Sequence, residues 1–444
     1  MEDIRKEFAI GVPEMEAIIT GVLRALDDGL QGRPSSLKML PTFAPTPTGK
    51  ETGTFMGIDV GGTNVRVLTL ELLPDGIRGD LKSFECIMPK DSKTADEFFG
   101  FIAQKIADFV EANGLAAKEI KAGLTFSFAV NQLAINKGLQ VAWSKGWDFP
   151  ETIGKDIVEL LETQLRARGV TNVRVIALVN DTVGTFANLA YDDVTCGMGL
   201  IFGTGTNGCY VEKTANFAPE KVAGYAGEYM VVNTEWGALD IPELGMNRFD
   251  RMIDDVSNNK GDHLFEKMIS GIYMGWLARL AIRDLMQKGV VLARHLNHPA
   301  FSDTPDDTDC NHAMKFTSRH TGIVEDTSDD LMQVDAVLKS LDITDSTLEE
   351  RRIVRDVCHV VVRRSAYLAA AATVALYRKM AVYMKERRTV GIDGTVYEKS
   401  VPFRRFYLEA LDLLQPTDKV ICSLSKDGSG LGAVIVSAAV AANA

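Results

Sequence analysis

The sequence predicts an α/β protein built from two large lobes. Its 444 residues exceed what one compact core organises. Apolar runs of strand length alternate with stretches of helical spacing. A Gly/Thr-centred hairpin pattern also occurs twice, at residues 55–72 and 199–212. The two copies agree in pattern more than in identity, and they imply two structurally related halves.

The elements follow in order. Met15, Ile18, Ile19, Val22, Leu23 and Leu26 stand at helical spacing and predict an amphipathic helix over residues 14–30. The Pro/Gly/Thr-rich stretch 41–53 is a linker or surface loop. The first hairpin has alternating, β-branched arms on either side of Gly61-Gly62-Thr63-Asn64. Phe98, Phe99, Ile102, Ile106, Phe109 and Val110 predict a helix. Buried strands are expected at 122–130 and 173–179, with a helix at 157–168 between them. After Asn180-Asp181-Thr182 the chain turns helical over 183–191, and the second hairpin then centres on Gly203-Thr204-Gly205-Thr206-Asn207. Residues 264–285 form one long amphipathic helix, and the polar, acidic stretch 302–330 is a surface excursion. Helical spacing dominates 349–388, where Ala369–Ala372 suit close helix packing. A hairpin around Asp393-Gly394 is expected over 389–397. The chain closes with a strand at 420–424, the Gly-rich turn Asp427-Gly428-Ser429-Gly430 and a helix of small residues.

Composition narrows the function. Hydrophobic residues make up 46% and charged residues 24%, the balance of an ordinary soluble globular protein. A net charge of −12 disfavours a general affinity for nucleic acid or an anionic membrane. The six cysteines lie far apart without a C-x-x-C pair, which reads as reduced thiols rather than a disulfide framework. The histidines form no metal-ligand set. The charged N-terminus carries no apolar signal region, and no segment has the apolar length of a membrane span, so the expected location is cytoplasmic.

The chemistry-bearing motifs each have two readings. Gly-rich turns bearing threonines suit phosphates, because glycine lets backbone N–H groups approach an anion. Neither turn is a Walker A loop, since no Gly-Lys-Ser/Thr is present and a strand follows each. Two opposed hairpins could grip one polyphosphate; either alone is a tight turn. Asp59, at the end of its strand, could orient hydrated Mg²⁺ or stabilise the turn. Asp181, between a strand and a helix, could take a proton from an attacking hydroxyl or cap the helix.

A resemblance decides between these readings. Ile58-Asp-Val-Gly-Gly-Thr-Asn-Val-Arg-Val, Leu124-Thr-Phe-Ser-Phe, Trp143-Ser-Lys-Gly, Val179-Asn-Asp-Thr-Val-Gly-Thr, Gly203-Thr-Gly-Thr-Asn-Gly, Glu235-Trp-Gly, Phe265-Glu-Lys-Met-Ile-Ser-Gly, Val390-Gly-Ile-Asp-Gly-Thr-Val-Tyr and Asp427-Gly-Ser-Gly occur in that order. From about Pro41 onward the chain thus resembles the eukaryotic-type hexokinases, with a length similar to the single-unit, yeast-type members. The resemblance implies the two-lobed actin/Hsp70/sugar-kinase (ribonuclease H-like) fold, with the active site in the interlobe cleft. Residues 50–179 with 430–444 would form the small lobe and 180–429 the large lobe. Residues 1–49 would be a helix and linker packed on the large lobe.

The resemblance also implies the ligands: a hexose (glucose foremost), ATP and Mg²⁺, with the oligomeric state open between monomer and homodimer. The implied sugar site is Ser127, Phe128, Ser144, Lys145, Asn180, Asp181, Asn207, Glu235 and Glu266, with Asp181 as the base for the 6-hydroxyl. Lys145 would offset charge near the transferring phosphoryl group. Asp59, Gly61, Gly62, Thr63, Asn64, Thr204, Gly205 and Thr206 would hold the nucleotide phosphates, with Asp59 at the Mg²⁺. Gly271, Gly428 and Ser429 would border the nucleoside. Two positions depart from the family pattern. Ser144 stands where threonine is usual and keeps the hydroxyl. Ala129 stands where proline is usual, which frees the loop carrying Ser127 and bears on sugar affinity and selectivity.

Overall fold

The computed structural model describes residues 1–143, 146–304 and 315–443. In chain order its strands are β1 (Leu40–Pro41), β2 (Gly53–Val60), β3 (Asn64–Leu72), β4 (Arg78–Ile87), β5 (Ile120–Phe126), β6 (Ala129–Ala134), β7 (Lys137–Ala142), β8 (Val173–Val179), β9 (Cys196–Phe202), β10 (Thr206–Lys213), β11 (Tyr229–Asn233), β12 (Thr389–Asp393) and β13 (Ile421–Leu424). They form two main sheets with orders β4-β3-β2-β5-β8 and β1-β11-β10-β9-β12-β13, while β6 and β7 pair by themselves.

The two sheets repeat one topology. In the first, β2, β3 and β4 are antiparallel neighbours, and β5 then β8 extend the sheet parallel to β2. In the second, β9, β10 and β11 do the same, with β12 and β13 added parallel to β9. The duplicated hairpin in the sequence is therefore the first and second strand of each half. Central strands covered on both faces need near-continuous apolar runs, and Met56, Ile58, Val60, Met198, Leu200 and Phe202 supply them.

Two helices fill the space between the sheets. Asp181–Asp192 packs on β9 and β12, and the C-terminal helix Gly428–Ala442 packs on β2, β5 and β8. These two helices also pack on each other. Glycine makes the approach possible. A Cβ at Gly123 would overlap the Ala433 carbonyl oxygen, and one at Gly432 would overlap that of Gly184. On its opposite face the first sheet carries the helices Ala95–Ala112 and Ile157–Ala167, which bury Phe98, Ile102, Ile106 and Leu161. Val12–Leu30 packs on the long helix Leu348–Ala381.

Several elements differ from expectation, each for a tertiary reason. The stretch 389–397 is not a hairpin: β12 lies parallel to strands on both sides, and Gly394 at φ +110° turns the chain into the short helix Thr395–Lys399. The helix expected over 264–285 breaks at Ser270 into Leu264–Ile269 and Gly271–Gln287. There the Gly271 and Ile272 N–H groups donate to the Gly203 and Thr204 carbonyls of the second hairpin instead of continuing the helix. The strand expected over 122–130 ends at Phe126, where the Ser127 N–H donates to the Val60 carbonyl, and β6 starts anew at Ala129. Of the stretch 302–330, residues 318–325 are a 3₁₀ helix that buries Ile323 and Val324, with Phe316 buried just before it. The long helix ends at Ala381, short of 388.

Contrary to the expectation that no segment has the apolar length of a membrane span, that helix is long and apolar enough to cross a membrane; 89% of its most apolar window is buried inside the fold. Cys86, Cys196, Cys209, Cys358 and Cys422 are free thiols, while Cys310 lies outside the described residues. Burial pushes the Cys196 thiol up to about 12.

Candidate active site

Strand β8 delivers two polar residues at its carboxyl end. Asn180 caps the helix Asp181–Asp192: its Oδ1 accepts from the Thr182 N–H at 2.9 Å and from the Thr182 hydroxyl at 2.5 Å. Asp181 is the first helical residue, and its Oδ1 accepts from the same N–H at 2.8 Å. Asp181 lines a cavity of about 510 Å³ shared with Asp59, Gly61, Asn64, Ser127 and Ser429. Asn180 lines a neighbouring cavity of about 280 Å³ with Phe128, Ala129, Asn233 and Glu235.

Glu235 occupies the left-handed region at φ +54°, which is uncommon for a residue with a side chain. It is held there by amides. Asn233 donates to Glu235 Oε1 at 2.6 Å, and Asn207 donates to the same oxygen at 3.2 Å. Glu266 extends from the short helix Leu264–Ile269, and its Oε2 accepts from the Thr206 N–H at 2.9 Å. Burial raises the Glu266 carboxyl above its ordinary range, the Thr206 N–H and His263 oppose this, and Glu235 adds to it. A side chain at Gly205 would displace this carboxylate, because a Cβ there would stand 2.6 Å from Glu266 Oε2. Thr206 itself is committed: its hydroxyl donates to the Ile201 carbonyl and accepts from Trp236 Nε1 at 2.9 Å.

Phe128 packs in an aromatic cluster with Phe98, Phe126 and Trp143, its ring 4.9 Å from that of Trp143. Ser144 and Lys145 lie outside the described residues. Beyond them Trp147 donates from Nε1 to the Gly62 carbonyl at 2.8 Å, which ties this segment to the first glycine turn.

In that first turn Gly61 N–H donates to the Asn64 carbonyl, and the Thr63 carbonyl accepts from Met88. The Asn64 amide donates to Glu85. Asp59 Oδ2 accepts from the Ser429 hydroxyl at 2.5 Å, so the end of β2 touches the start of the C-terminal helix. The Gly428 N–H points at Asp393 Oδ2 from 3.4 Å. Gly271 and Thr204 line a third cavity of about 440 Å³ with Ile272, Met274, Thr317 and Val396. The close fit of Gly271 against the Gly203 carbonyl is also a helix-packing requirement, since a Cβ there would lie 2.7 Å from that oxygen.

Several site residues carried no role in the linear reading. Asn233 is 4% exposed and joins Asn207 to Glu235. Asp393, Asp427, Glu85 and Arg66 line the 510 Å³ cavity. Burial pushes Asp393 above the ordinary carboxylate range. Asp393-Gly394 and Asp427 stood in quoted motifs, so position in a motif was the available signal; Asn233 sat two residues before the Glu235-Trp-Gly motif. Among the described residues Asp59, Asp181, Asp393, Asp427 and Glu85 line this cavity together with Arg66, which is paired with Asp427. Among the described residues no three His, Cys, Asp or Glu side chains converge as a metal cage.

Hexokinase family profiles match residues 1–191 and 197–439. The chain is 35% identical to hexokinase-3 of Mus musculus over 99% of its own length but 47% of that protein's, so it spans about half the length of such relatives. It is also 35% identical to the hexokinase of Schistosoma mansoni, covering 98% of this chain and 96% of that one. The structure of Schistosoma mansoni hexokinase complexed with glucose superimposes with a TM-score of 0.81 over 98% and 97% of the two chains. A second hexokinase crystal structure, 28% identical, gives 0.79 over 99% and 98%.

Proposed function

The chain belongs to the hexokinase family, and on that premise we propose that it transfers the γ-phosphoryl group of ATP to the 6-hydroxyl of a hexose, glucose foremost, yielding hexose 6-phosphate and ADP. One juxtaposition supports this reading most. Consecutive residues at the end of β8 face two neighbouring cavities, Asn180 beside Glu235 and Asp181 beside Asp59 and the first glycine turn. An acceptor held by the first would present a hydroxyl to the second.

In this reading Ser127, Asn180, Asn207, Glu235 and Glu266 hydrogen-bond the sugar hydroxyls, and Phe128 forms an apolar wall. Carboxylates and amides suit a polyol, and buried polar groups left unpaired reject analogues lacking a hydroxyl. Asp181 accepts the proton of the 6-hydroxyl as the O6–P bond forms. The bond from γ-phosphorus to the bridging oxygen breaks, and ADP leaves with that electron pair. Asp59 would hold hydrated Mg²⁺, which would supply positive charge opposite the carboxylates of this cavity. Gly61, Gly62, Thr63, Asn64, Thr204 and Gly205 follow the phosphates, with Thr206 behind them. Gly271, Gly428 and Ser429 border the nucleoside. Ser144 and Lys145 belong to the same assignment, Lys145 near the transferring group. Closure of residues 50–179 with 430–444 onto 180–429 would exclude water, which competes as acceptor. Free thiols suit a reducing compartment such as the cytoplasm.

A coupled assay with ATP and Mg²⁺ across glucose, mannose, fructose and galactose tests the proposal. ADP release should depend on sugar and match sugar phosphate mole for mole. Sugar-independent ATP turnover would instead make the protein an ATPase of this fold, and tight sugar binding without turnover would make it a sensor.

A further inference from the structure

The first glycine turn commits its carbonyls to donors of the protein. The Asn64 carbonyl accepts from the Gly61 N–H at 3.0 Å and the Thr63 carbonyl from the Met88 N–H at 2.7 Å. Both of these are backbone bonds, open to almost any sequence. The Gly62 carbonyl is different: it accepts from Trp147 Nε1 at 2.8 Å, a bond that requires an indole at that position.

The second turn is gripped by the same device. There the Gly203 N–H donates to the Gly205 carbonyl at 3.0 Å, as Gly61 does to Asn64. The Gly203 and Thr204 carbonyls accept from the Gly271 and Ile272 N–H groups at 2.9 and 3.2 Å. Where the second half uses the N–H groups of a helix, the first half uses a side chain.

That side chain is a fixed donor. Trp147 is 5% exposed, with its ring 5.0 Å from that of Phe98 and 6.0 Å from that of Phe149. Gly62 is buried too, so its carbonyl would be left unpaired without the indole. The peptide bonds here are trans, and a trans peptide plane sends its C=O and N–H to opposite sides. With the Gly62 carbonyl drawn inward onto Trp147, the Thr63 N–H of the same plane points outward, on the side where Thr63 is exposed.

We propose that Trp147 is a positioning residue for phosphoryl transfer, whose indole N–H holds the Gly62–Thr63 peptide so that the Thr63 N–H faces the nucleotide phosphates. It acts through the turn and not on the nucleotide. The assignment rests on the phosphate role given to Gly61, Gly62, Thr63 and Asn64 above. An N–H already aimed at an anion costs no reorganisation when the anion arrives, which is what a phosphate cradle requires.

The test uses the full-length protein and two replacements. Trp147→Phe keeps an aromatic ring in the cluster and removes the N–H. Installing 3-benzothienylalanine at position 147 keeps the shape of the indole and exchanges only the N–H for sulfur. Binding of a non-hydrolysable ATP analogue with Mg²⁺, measured calorimetrically in saturating glucose, should weaken about three- to tenfold in both, the effect of one lost hydrogen bond. The KM for ATP should rise in step, while the KM for glucose should change less than about twofold. In wild type labelled with ¹⁵N-tryptophan, the Trp147 indole cross-peak is the one missing from Trp147→Phe. It should exchange slowly with solvent and shift as the analogue is added. Unchanged nucleotide affinity in the benzothienyl protein, or a Trp147 cross-peak unmoved by nucleotide, overturns the proposal. Equal losses for glucose and nucleotide overturn it as well, leaving Trp147 a packing residue. Wild type that binds no nucleotide overturns the phosphate assignment and the proposal with it. Weaker nucleotide binding by both variants supports the proposal even without transfer to sugar, a result that would fault the kinase assignment separately.

Discussion

Asn233 holds Glu235 with a single short hydrogen bond, Nδ2 to Oε1 at 2.6 Å, while its Oδ1 accepts from Asn207 at 3.0 Å and from the Glu235 N–H at 3.2 Å. One buried amide thus orients two residues assigned to the sugar. Asn233→Asp sets a carboxylate against Glu235 and removes a donor. Glucose KM should rise at least tenfold at pH 8, roughly the effect of about 1–3 kcal/mol for an unpaired buried group. It should recover toward pH 5, where the two carboxylates share a proton. Asn233→Ala should raise KM without that recovery, and ATP KM should stay put in both. A flat pH response in Asn233→Asp would reduce Asn233 to a packing residue.

Asp181 can be removed without stripping the helix of its cap, because Asn180 accepts from both Thr182 donors. Asp181→Ala should therefore fold, bind glucose with modest loss, and lose about 10²–10⁴-fold in kcat, the range for a general base. Near-normal turnover in a folded variant would leave Asp181 with a structural role only.

Glu266 links recognition to stability. Its folded-state pKa is raised, chiefly by burial. Such a group contributes stability below the unfolded pKa and loses it as pH rises through the folded value. Glu266→Gln keeps an oxygen for the Thr206 N–H and removes the buried charge. Its Tm should exceed that of wild type at pH 8, and the gap should close near pH 4. Glucose KM should rise together with that gain. A variant less stable than wild type at pH 8 would show that the carboxylate is better satisfied than its burial implies.

The sugar assignment spans both sheets, with Ser127 after β5 and Asn207, Glu235 and Glu266 around β10 and β11. A hexose touching both sets favours their approach. Glucose without nucleotide should shrink the radius of gyration in solution scattering and protect the Phe128–Trp143 segment from proteolysis, and glycerol should do neither. Tight glucose binding with unchanged scattering would mean a preformed cleft.

Much of this was legible along the chain. Period and punctuation located β8, where residues 173–179 form one apolar strand, and the helices at 95–112 and 157–167, whose apolar faces repeat every three to four residues. The duplicated Gly/Thr hairpin gave the two-fold architecture, because a local pattern repeated is a local pattern folded twice. The quoted motifs carried the family resemblance, since their order is a property of the sequence itself.

Other features depended on partners distant in the chain. Residues 264–285 keep a helical period throughout, yet the backbone breaks at Ser270 because two N–H groups find the Gly203 and Thr204 carbonyls. Asp393-Gly394 has the composition of a hairpin turn, but parallel neighbours on both sides of β12 forbid a return strand. Asn233 looks like any strand-end asparagine until β10 and β11 bring Asn207 beside it. Local propensity is encoded by neighbours within a few residues, and so the sequence by itself determined elements such as β8 and the helices at 95–112 and 157–167, but not the break at Ser270 or the kind of 389–397. Which carbonyls, amides and carboxylates meet depends on long-range pairing, and only the tertiary structure decided that.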